Sequence, residues 1–321
     1  MALISPLALL AVVCFSAFVS SGQPIKTTFI AYGDSAEFHA HPWFAHLETY
    51  KDEGDGLKSS LCGGTVVGKR WILTAAHCVL PLWHFGKRRR DVNGTASLAK
   101  TEHSSFDEDP TVRKYRFKSV VGSNNDFLYG EDIALIETFT PITFDDHVKP
   151  INLTRENLKI NSLATTTGFG QTEDHAISWE LMETTQKILH PAKCRRNEKY
   201  FGFHDGSMLC FGGDKPNVCY GDSGGPLLKK DENGVTWQYG IAHKLTSPTH
   251  SCTDGTPSIF TRVSAYCDWI EKTTRKEVKC AGKKDPKSRR RNLTLFKACF
   301  FNCDASATER TECLIKCNMY V

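Results

Sequence analysis

From Ile30 to Thr274 the chain alternates short apolar or β-branched runs with residues that favour turns. The runs include GGTVVG, RWILTAA, DIALIET, SLATTTGFG, QYGIAHKL and SIFTRV, and Gly, Pro, Asn and Asp separate them. Short strands at this spacing are typical of an all-β barrel or sandwich, because each run crosses a sheet once before a turn reverses the chain. The sequence therefore predicts an all-β domain in which helices are minor elements.

One segment near the end of this region has a different period. In VSAYCDWIEKTTRK the apolar side chains of Val263, Tyr266, Trp269 and Ile270 recur at helical spacing. Residues three and four positions apart lie on one face of a helix. We therefore expect a C-terminal helix that closes the domain.

The amino terminus has the pattern of a secretory signal over residues 1–22. An apolar run is followed by small residues, with cleavage expected near Ser21 or Gly22, and a short propeptide would then cover residues 23–29. No basic residue precedes the apolar run, so a retained membrane anchor is the alternative.

Cysteine usage and glycosylation motifs favour export. Of the 13 cysteines, Cys14 lies in the signal, and the remaining 12 are an even number that can pair fully in an oxidising compartment. Asn93, Asn152 and Asn292 each precede a threonine by two positions, as N-glycosylation requires. We expect a secreted, extracellular glycoprotein with no membrane partner.

The charge of the chain does not favour a nucleic-acid partner. The formal net charge is +4, and basic residues cluster only at 86–91 and 283–291. Such short runs are typical of solvated loops.

Beyond the β-rich region, which we place at residues 30–280, the composition changes. A basic linker covers residues 281–295, and a cysteine-rich extension covers residues 296–321. Its cysteines are four apart in each of two pairs, so each pair would share one face of a short helix. Two helices stapled by disulfides would satisfy this spacing, with Cys299 bonded to Cys317 and Cys303 to Cys313. A metal site is the competing use of these four cysteines.

Three motifs carry candidate catalytic residues. Ser223 lies in CYGDSGGPLL, His77 in WILTAAHC, and Asp132 in GEDIALIE, immediately before an apolar run. Taken singly, the serine motif is compatible with a tight turn and the histidine with a structural role. Taken together, they supply a nucleophile, a base that accepts its proton, and a carboxylate that orients the base.

With HPWFAHL and TGFGQT, these motifs resemble those of the trypsin-like (chymotrypsin-fold) serine proteases, over Ile30 to Thr274. The resemblance implies two six-stranded antiparallel β-barrels with the active site in the cleft between them. His77 and Asp132 would come from the first barrel and Ser223 from the second. The implied oxyanion hole consists of the backbone N–H groups of Gly221 and Ser223.

The resemblance also implies disulfides within the domain, and we assign the two remaining cysteines to each other. The expected pairs are Cys62–Cys78, Cys194–Cys210, Cys219–Cys252 and Cys267–Cys280. No cofactor and no metal is expected for the reaction. The implied partners are protein or peptide substrates, an activating protease and a protein inhibitor.

The specificity pocket departs from the pattern of family members that select Lys or Arg. Asn217 stands where those members have an aspartate, so a cationic substrate side chain would lose its hydration with little compensation. His243 and Leu245 are expected at the substrate edge, and Ser258 replaces a common glycine. The resemblance also implies that His243 replaces a serine that usually supports the family's aspartate. These residues predict a shallow pocket for neutral side chains.

The activation site also departs from the family. By its spacing from HPW, Ile30 corresponds to the amino terminus that zymogen cleavage creates, where an α-ammonium pairs with Asp222. The preceding residue is Phe29 rather than Lys or Arg. This departure and the histidine at position 243 leave open an alternative function, a catalytically weak homologue that acts as an extracellular binding module.

Overall fold

The structure is a computed structural model, and it describes residues 30–52, 57–79, 89–90, 93–102, 109–123, 132–197 and 203–283. The predicted signal, propeptide and cysteine-rich extension lie outside the described residues. So do the two disulfides predicted for the extension and the glycosylation motif at Asn292.

The first half of the domain forms a closed, six-stranded antiparallel barrel. A short strand, β1 (Asp34–Ser35), precedes it. The barrel strands are β2 (Phe44–Asp52), β3 (Leu57–Val66), β4 (Trp71–Thr74), β5 (Asn93–Leu98), β6 (Arg113–Gly122) and β7 (Ala134–Thr138). They pair in the order β2-β3-β4-β7-β6-β5, and β5 returns to β2. Burial alternates along β6, where Tyr115 and Phe117 face the core, as the period of a strand requires.

The second half forms another six-stranded antiparallel barrel. Its strands are β9 (Leu163–Gly168), β10 (Met182–Leu189), β11 (Met208–Gly212), β12 (Pro226–Lys230), β13 (Thr236–Leu245) and β14 (Pro257–Arg262). The order is β12-β9-β10-β11-β14-β13, and pairing of β13 with β12 closes the ring. Two short strands, β8 (Asn152–Thr154) and β15 (Cys280–Ala281), extend the sheet beside β13, while β1 pairs with β10. Both barrels predicted from the sequence are therefore confirmed.

Helices are few among the described residues. They are α1 (Ala76–Val79), α2 (Pro191–Asn197) and α3 (Cys267–Thr273), with a 3₁₀ turn at Val263–Tyr266 that leads into α3. The apolar face predicted for the closing helix packs on the core, with Trp269 partly buried beside it. No helix of the described part is both long and apolar enough to cross a membrane.

Ion pairs also connect the closing helix to the second barrel. Arg155, which follows β8, is nearly buried and donates hydrogen bonds to Asp268 at 2.9 Å and to Glu271 at 2.7 Å, both on α3. The four disulfides predicted for the domain are all present: Cys62–Cys78, Cys194–Cys210, Cys219–Cys252 and Cys267–Cys280.

Candidate active site

Pairing of β4 with β7 brings His77 and Asp132 together. Thr74, the last residue of β4, lies opposite Ala134, the first of β7, so the segments just beyond these ends are neighbours. The backbone N–H of His77 donates to Oδ1 of Asp132 at 2.9 Å. The Nδ1 of His77 lies 2.7 Å from Oδ2 of the same carboxylate. Two contacts fix the orientation of the imidazole and leave its Nε2 on the side away from Asp132.

The loop that carries Ser223 is fastened to the first barrel beside His77. The carbonyl of Ser223 accepts a hydrogen bond from the N–H of Gly63 at 2.7 Å. The Sγ of Cys78 lies 3.5 Å from that carbonyl oxygen and 3.9 Å from Nε2 of His77. The Cys62–Cys78 disulfide therefore contacts both the serine loop and the imidazole of His77.

The serine loop contains a glycine in a conformation that other residues rarely adopt. Gly221 adopts a φ of +98°, a value that L side chains rarely reach. The N–H of Gly224 donates to the carbonyl of Ala242 on β13 at 2.8 Å. Among the described residues, the N–H groups of Gly221 and Ser223 donate to no protein acceptor. The two donors predicted for the oxyanion hole are thus available to a ligand.

Asp222 is buried beneath this loop, with a relative exposure of 1%. Burial raises the pKa of its carboxyl to about 7, against the lowering effect of N–H donors from Cys219 at 2.8 Å and Gly170 at 2.7 Å. The fit is tight, because a Cβ built at Gly168 would lie 2.1 Å from Oδ1 of Asp222. The position thus suits a cationic partner.

The segment that begins at Ile30 packs beside Cys219, whose N–H donates to the carboxyl of Asp222. Ile30 and Ala31 are fully buried, and Ala31 packs against the Cys219–Cys252 disulfide. The carbonyl of Ala31 also accepts the N–H of Asn217 at 3.2 Å. The backbone of Cys219 in turn donates to Asp222, so the predicted activation residues occupy one neighbourhood.

His243 provides a second imidazole for Asp132. The pairing of β13 with β14 is displaced by one residue between Ala242 and Lys244, so His243 occupies a β-bulge. Bulges re-aim side chains near active sites. Here the imidazole is turned inward, and its Nδ1 lies 2.5 Å from Oδ2 of Asp132. His243 thus contacts the aspartate that the residue at this position is expected to support, and its place at the substrate edge stays a prediction.

The electrostatics of this cluster favour an ionised Asp132 and a neutral His243. Burial alone would raise the pKa of Asp132, but the charges and hydrogen bonds of His77 and His243 outweigh burial and hold it well below its ordinary value. Burial lowers the pKa of His243, and Asp132 offsets this effect only in part. The hydroxyl of Thr261 donates to the backbone carbonyl of Asp132 at 3.0 Å and helps to fix the segment.

The polar groups predicted for the pocket floor bind one another. Ser258 donates to Oδ1 of Asn217 at 2.7 Å, while Nδ2 of Asn217 donates to the carbonyl of Thr256 at 2.8 Å. Asn217 is 1% exposed and Ser258 is fully buried. In the β13–β14 ladder Leu245 lies opposite Ser258. Three predicted pocket residues are therefore brought together, and no negative charge is among them.

Two clusters of potential metal ligands occur in the described part of the chain. One joins His77 to Cys62 and Cys78, whose sulfurs are already bonded to each other. The other consists of His77, Asp132 and His243. The second cluster has the nitrogen and oxygen donors that borderline divalent cations prefer.

Comparison with known proteins identifies the family. The trypsin family model matches residues 30–270, which is most of the chain. The chain belongs to the trypsin family.

Three curated proteins align with most of this chain. The chain is 27% identical over 284 residues to CLIP domain-containing serine protease B15 of Anopheles gambiae, an alignment that covers 83% of this chain and 75% of the relative. It is 28% identical over 271 residues to phenoloxidase-activating factor 1 of Holotrichia diomphalia, with coverages of 78% and 71%. It is also 28% identical over 265 residues to melanization protease 1 of Drosophila melanogaster, with coverages of 76% and 65%.

Sequence reasoning missed two contributions to this trypsin-family site. The motif TGFGQT contains Gly168 and Gly170, to which the sequence analysis gives no role. Two glycines around one phenylalanine can indicate a close approach of the backbone to a neighbour, here Asp222. Sequence reasoning also missed Thr261, for which the sequence has no signal. Asn93 and Asn152, two of the residues predicted to carry glycans, are both exposed, and their glycosylation stays a prediction.

Proposed function

We propose that this trypsin-family chain is a secreted serine endopeptidase that hydrolyses peptide bonds through an acyl-enzyme. The observation that carries the proposal is the 2.7 Å contact between His77 Nδ1 and Asp132 Oδ2 beside a serine loop with two available N–H donors. Asp132 fixes one tautomer of His77, in which Nδ1 bears the proton and Nε2 accepts one.

In the first step, the Oγ of Ser223 bonds to the substrate carbonyl carbon while Nε2 of His77 takes the hydroxyl proton. The carbonyl oxygen gains negative charge and accepts hydrogen bonds from the N–H groups of Gly221 and Ser223. Loss of one such donor typically costs about 2.7 to 4 kcal/mol in transition-state stabilisation.

In the second step, the carbon–nitrogen bond breaks, and the imidazolium of His77 gives its proton to the leaving amine. Water then attacks the acyl-enzyme, His77 takes a proton from it, and the same proton returns to Oγ of Ser223. Asp132 stays ionised throughout and stabilises the imidazolium.

Labelling with a fluorophosphonate tests this function directly. We expect the correctly processed protein to react covalently at Ser223, and His77→Ala to suppress the reaction strongly. Ser223→Ala is the control for labelling elsewhere. If the processed wild type stays unlabelled while a reference protease reacts, the endopeptidase function is wrong.

For the cleavage preference, we propose uncharged residues of small to medium size, or aromatic ones. The support is that the Asn217 amide is satisfied by Thr256, Val218 and Ser258, so it presents no charge to a cationic side chain. A peptide library profiled with wild type and Asn217→Asp tests this preference. The variant should move towards basic residues, and dominant wild-type cleavage after Lys or Arg would contradict the assignment.

We further propose that the secreted chain is a zymogen activated by cleavage between Phe29 and Ile30. Ile30 adopts a φ of +49°, which is unfavourable for a β-branched residue, and cleavage of the preceding bond would remove that torsion. Before cleavage, the nitrogen of Ile30 is an uncharged amide. After cleavage, its α-ammonium would supply a cation for the buried Asp222. An enzyme that cuts after aromatic residues would be the activator. Amino-terminal sequencing of the active form decides this, and a start upstream of Ile30 would overturn it.

The alternative function is a catalytically weak homologue that works by binding a partner. The observation in its favour is that His243 shares the Oδ2 of Asp132 with His77. A shared carboxylate stabilises the His77 imidazolium less than an undivided one. Failure of fluorophosphonate labelling in the processed protein would support this alternative.

The location and partners follow from the same proposal. Export is supported by four disulfides in the described domain, since disulfides persist in oxidising compartments. The substrates would be proteins or peptides, and an activating protease and a protein inhibitor would be further partners. Treatment of the secreted protein with an N-glycosidase should lower its apparent mass, and Asn93→Gln and Asn152→Gln should each remove part of that change.

A further inference from the structure

The cluster of His77, Asp132 and His243 presents three donor atoms to one point. Each residue offers one ligand atom, an imidazole nitrogen from each histidine and a carboxylate oxygen from Asp132, and these atoms lie within 4.8 Å of one another. Oδ2 of Asp132 lies 2.7 Å from Nδ1 of His77 and 2.5 Å from Nδ1 of His243. Asp132 is fully buried, the side chain of His243 is 4% exposed, and that of His77 is 26% exposed. The cluster is thus preformed, with one edge that solvent reaches.

This donor set matches zinc chemistry. Two imidazole nitrogens and one carboxylate oxygen are a known type of three-ligand zinc site, in which the fourth position is left to water. Ligand atoms around a tetrahedral zinc are about 3.3 Å apart, given bonds of about 2.0 to 2.2 Å. To admit the ion, Oδ2 would move away from each nitrogen by less than about 1 Å, and the two nitrogens would take up the same spacing of about 3.3 Å.

We propose that His77, Asp132 and His243 form an inhibitory site for Zn²⁺. His243 makes the difference, because without it only two ligands remain. Its position in the bulge of β13 aims the third donor at the carboxylate.

Zinc at this site would block the general base. A neutral imidazole that binds a metal through Nδ1 carries its proton on Nε2. Nε2 of His77 then has no lone pair for the proton of Ser223, and the negative charge of Asp132 is engaged by the ion. This consequence rests on the function proposed above, whereas zinc binding itself does not.

The binding experiment therefore uses Ser223→Ala, which is inactive by design and cannot digest itself. Chelator-stripped protein is dialysed against zinc, and bound zinc is measured by elemental analysis. In this background, His243→Asn is the informative variant. The asparagine amide can still donate a hydrogen bond to Asp132, so the fold and this hydrogen bond should be kept, but the amide is a poor zinc ligand. We expect affinity at this site to fall at least ~10-fold.

A matched control comes from His190, an exposed residue whose Nδ1 accepts the N–H of Ala192 at the start of α2. Serine serves well at such a position, so His190→Ser should fold and bind zinc as the parent does. If zinc affinity falls equally in His190→Ser and His243→Asn, or does not fall in His243→Asn, the proposed site is wrong.

The inhibition experiment uses active protein with a peptide substrate, and each rate is divided by the same variant's rate without zinc. Wild type and His190→Ser should be inhibited at the same zinc concentration, and His243→Asn should need at least ~10-fold more. Calcium and magnesium should not inhibit, because they prefer several oxygen ligands. If Ser223→Ala binds zinc but processed wild type has no peptidase activity, the zinc site is supported and the endopeptidase function is refuted. Unchanged activity of wild type in millimolar zinc would refute the inhibitory site.

Discussion

The buried carboxyl of Asp222 allows a quantitative test of the activation proposal. In the uncleaved chain, burial raises its pKa from 3.8 to about 7. The folded state therefore binds this proton more tightly than the unfolded state. The contribution of Asp222 to the free energy of unfolding must fall as pH rises from about 4 to about 7.

The size of this loss follows from the two pKa values. At ~1.4 kcal/mol per pH unit, the full loss is about 4 kcal/mol, of which about 3 kcal/mol falls between about pH 5 and pH 8. Asparagine at position 222 carries no ionisable group, so Asp222→Asn should not show this pH-dependent loss. Its own cost is one hydrogen bond, because its single carbonyl oxygen cannot serve both N–H donors, and this cost does not depend on pH.

The assay is urea unfolding of uncleaved Ser223→Ala and of the double variant Ser223→Ala/Asp222→Asn over this pH range. We expect the double variant to gain about 3 kcal/mol relative to its parent as pH rises. Taking the difference cancels every other titrating group. A difference that stays constant with pH would show that Asp222 is not a destabilised carboxyl in the uncleaved chain.

Cleavage before Ile30 should reverse the effect. Once the α-ammonium pairs with Asp222, removal of the carboxylate leaves a buried cation unpaired, so Asp222→Asn should destabilise the cleaved protein at neutral pH. The same pH dependence before and after cleavage would mean that the new amino terminus does not reach Asp222.

Three further variants test the site and its support. Gly168→Ala would drive a Cβ into the Asp222 carboxylate and should lower the free energy of unfolding by about 2 to 3 kcal/mol in urea; an unchanged value would refute the tight fit. Ser258→Gly removes the hydroxyl that closes the pocket floor and should shift a peptide library about tenfold towards larger uncharged residues, whereas an unchanged profile would place Ser258 outside the pocket. Arg155→Met removes the cation that both carboxylates on α3 contact and should cost about 1 to 2 kcal/mol, less in high salt; no loss at low salt would contradict a stabilising role.

Much of the fold was predictable because its signals are local. Short apolar or β-branched runs such as SIFTRV, which forms most of β14, and the turn residues between runs identify strands without knowledge of their partners. The helical period at Val263–Tyr266 and beyond identified the closing helix in the same way. The resemblance then supplied the two-barrel topology and three of the disulfides, and elimination supplied Cys267–Cys280.

The candidate site was predictable only in part. Sequence motifs named His77, Asp132 and Ser223, because each lies in a short signature. The contact between His77 and Asp132, which are 55 residues apart, depends on the pairing of β4 with β7. The sequence could name these groups, but the barrel had to bring them together.

Only the tertiary structure decided how His243 contacts Asp132. The resemblance places His243 at the substrate edge, where a serine usually supports the aspartate, but it does not show that an imidazole at this position binds the carboxylate. A one-residue bulge between Ala242 and Lys244 turns its imidazole towards Asp132, a residue 111 positions away. The bulge arises from pairing with β14, and a partner strand's register cannot be read from a strand's own residues. For that reason the second imidazole on Asp132, and the three-ligand cluster it creates, became visible only when both barrels were closed.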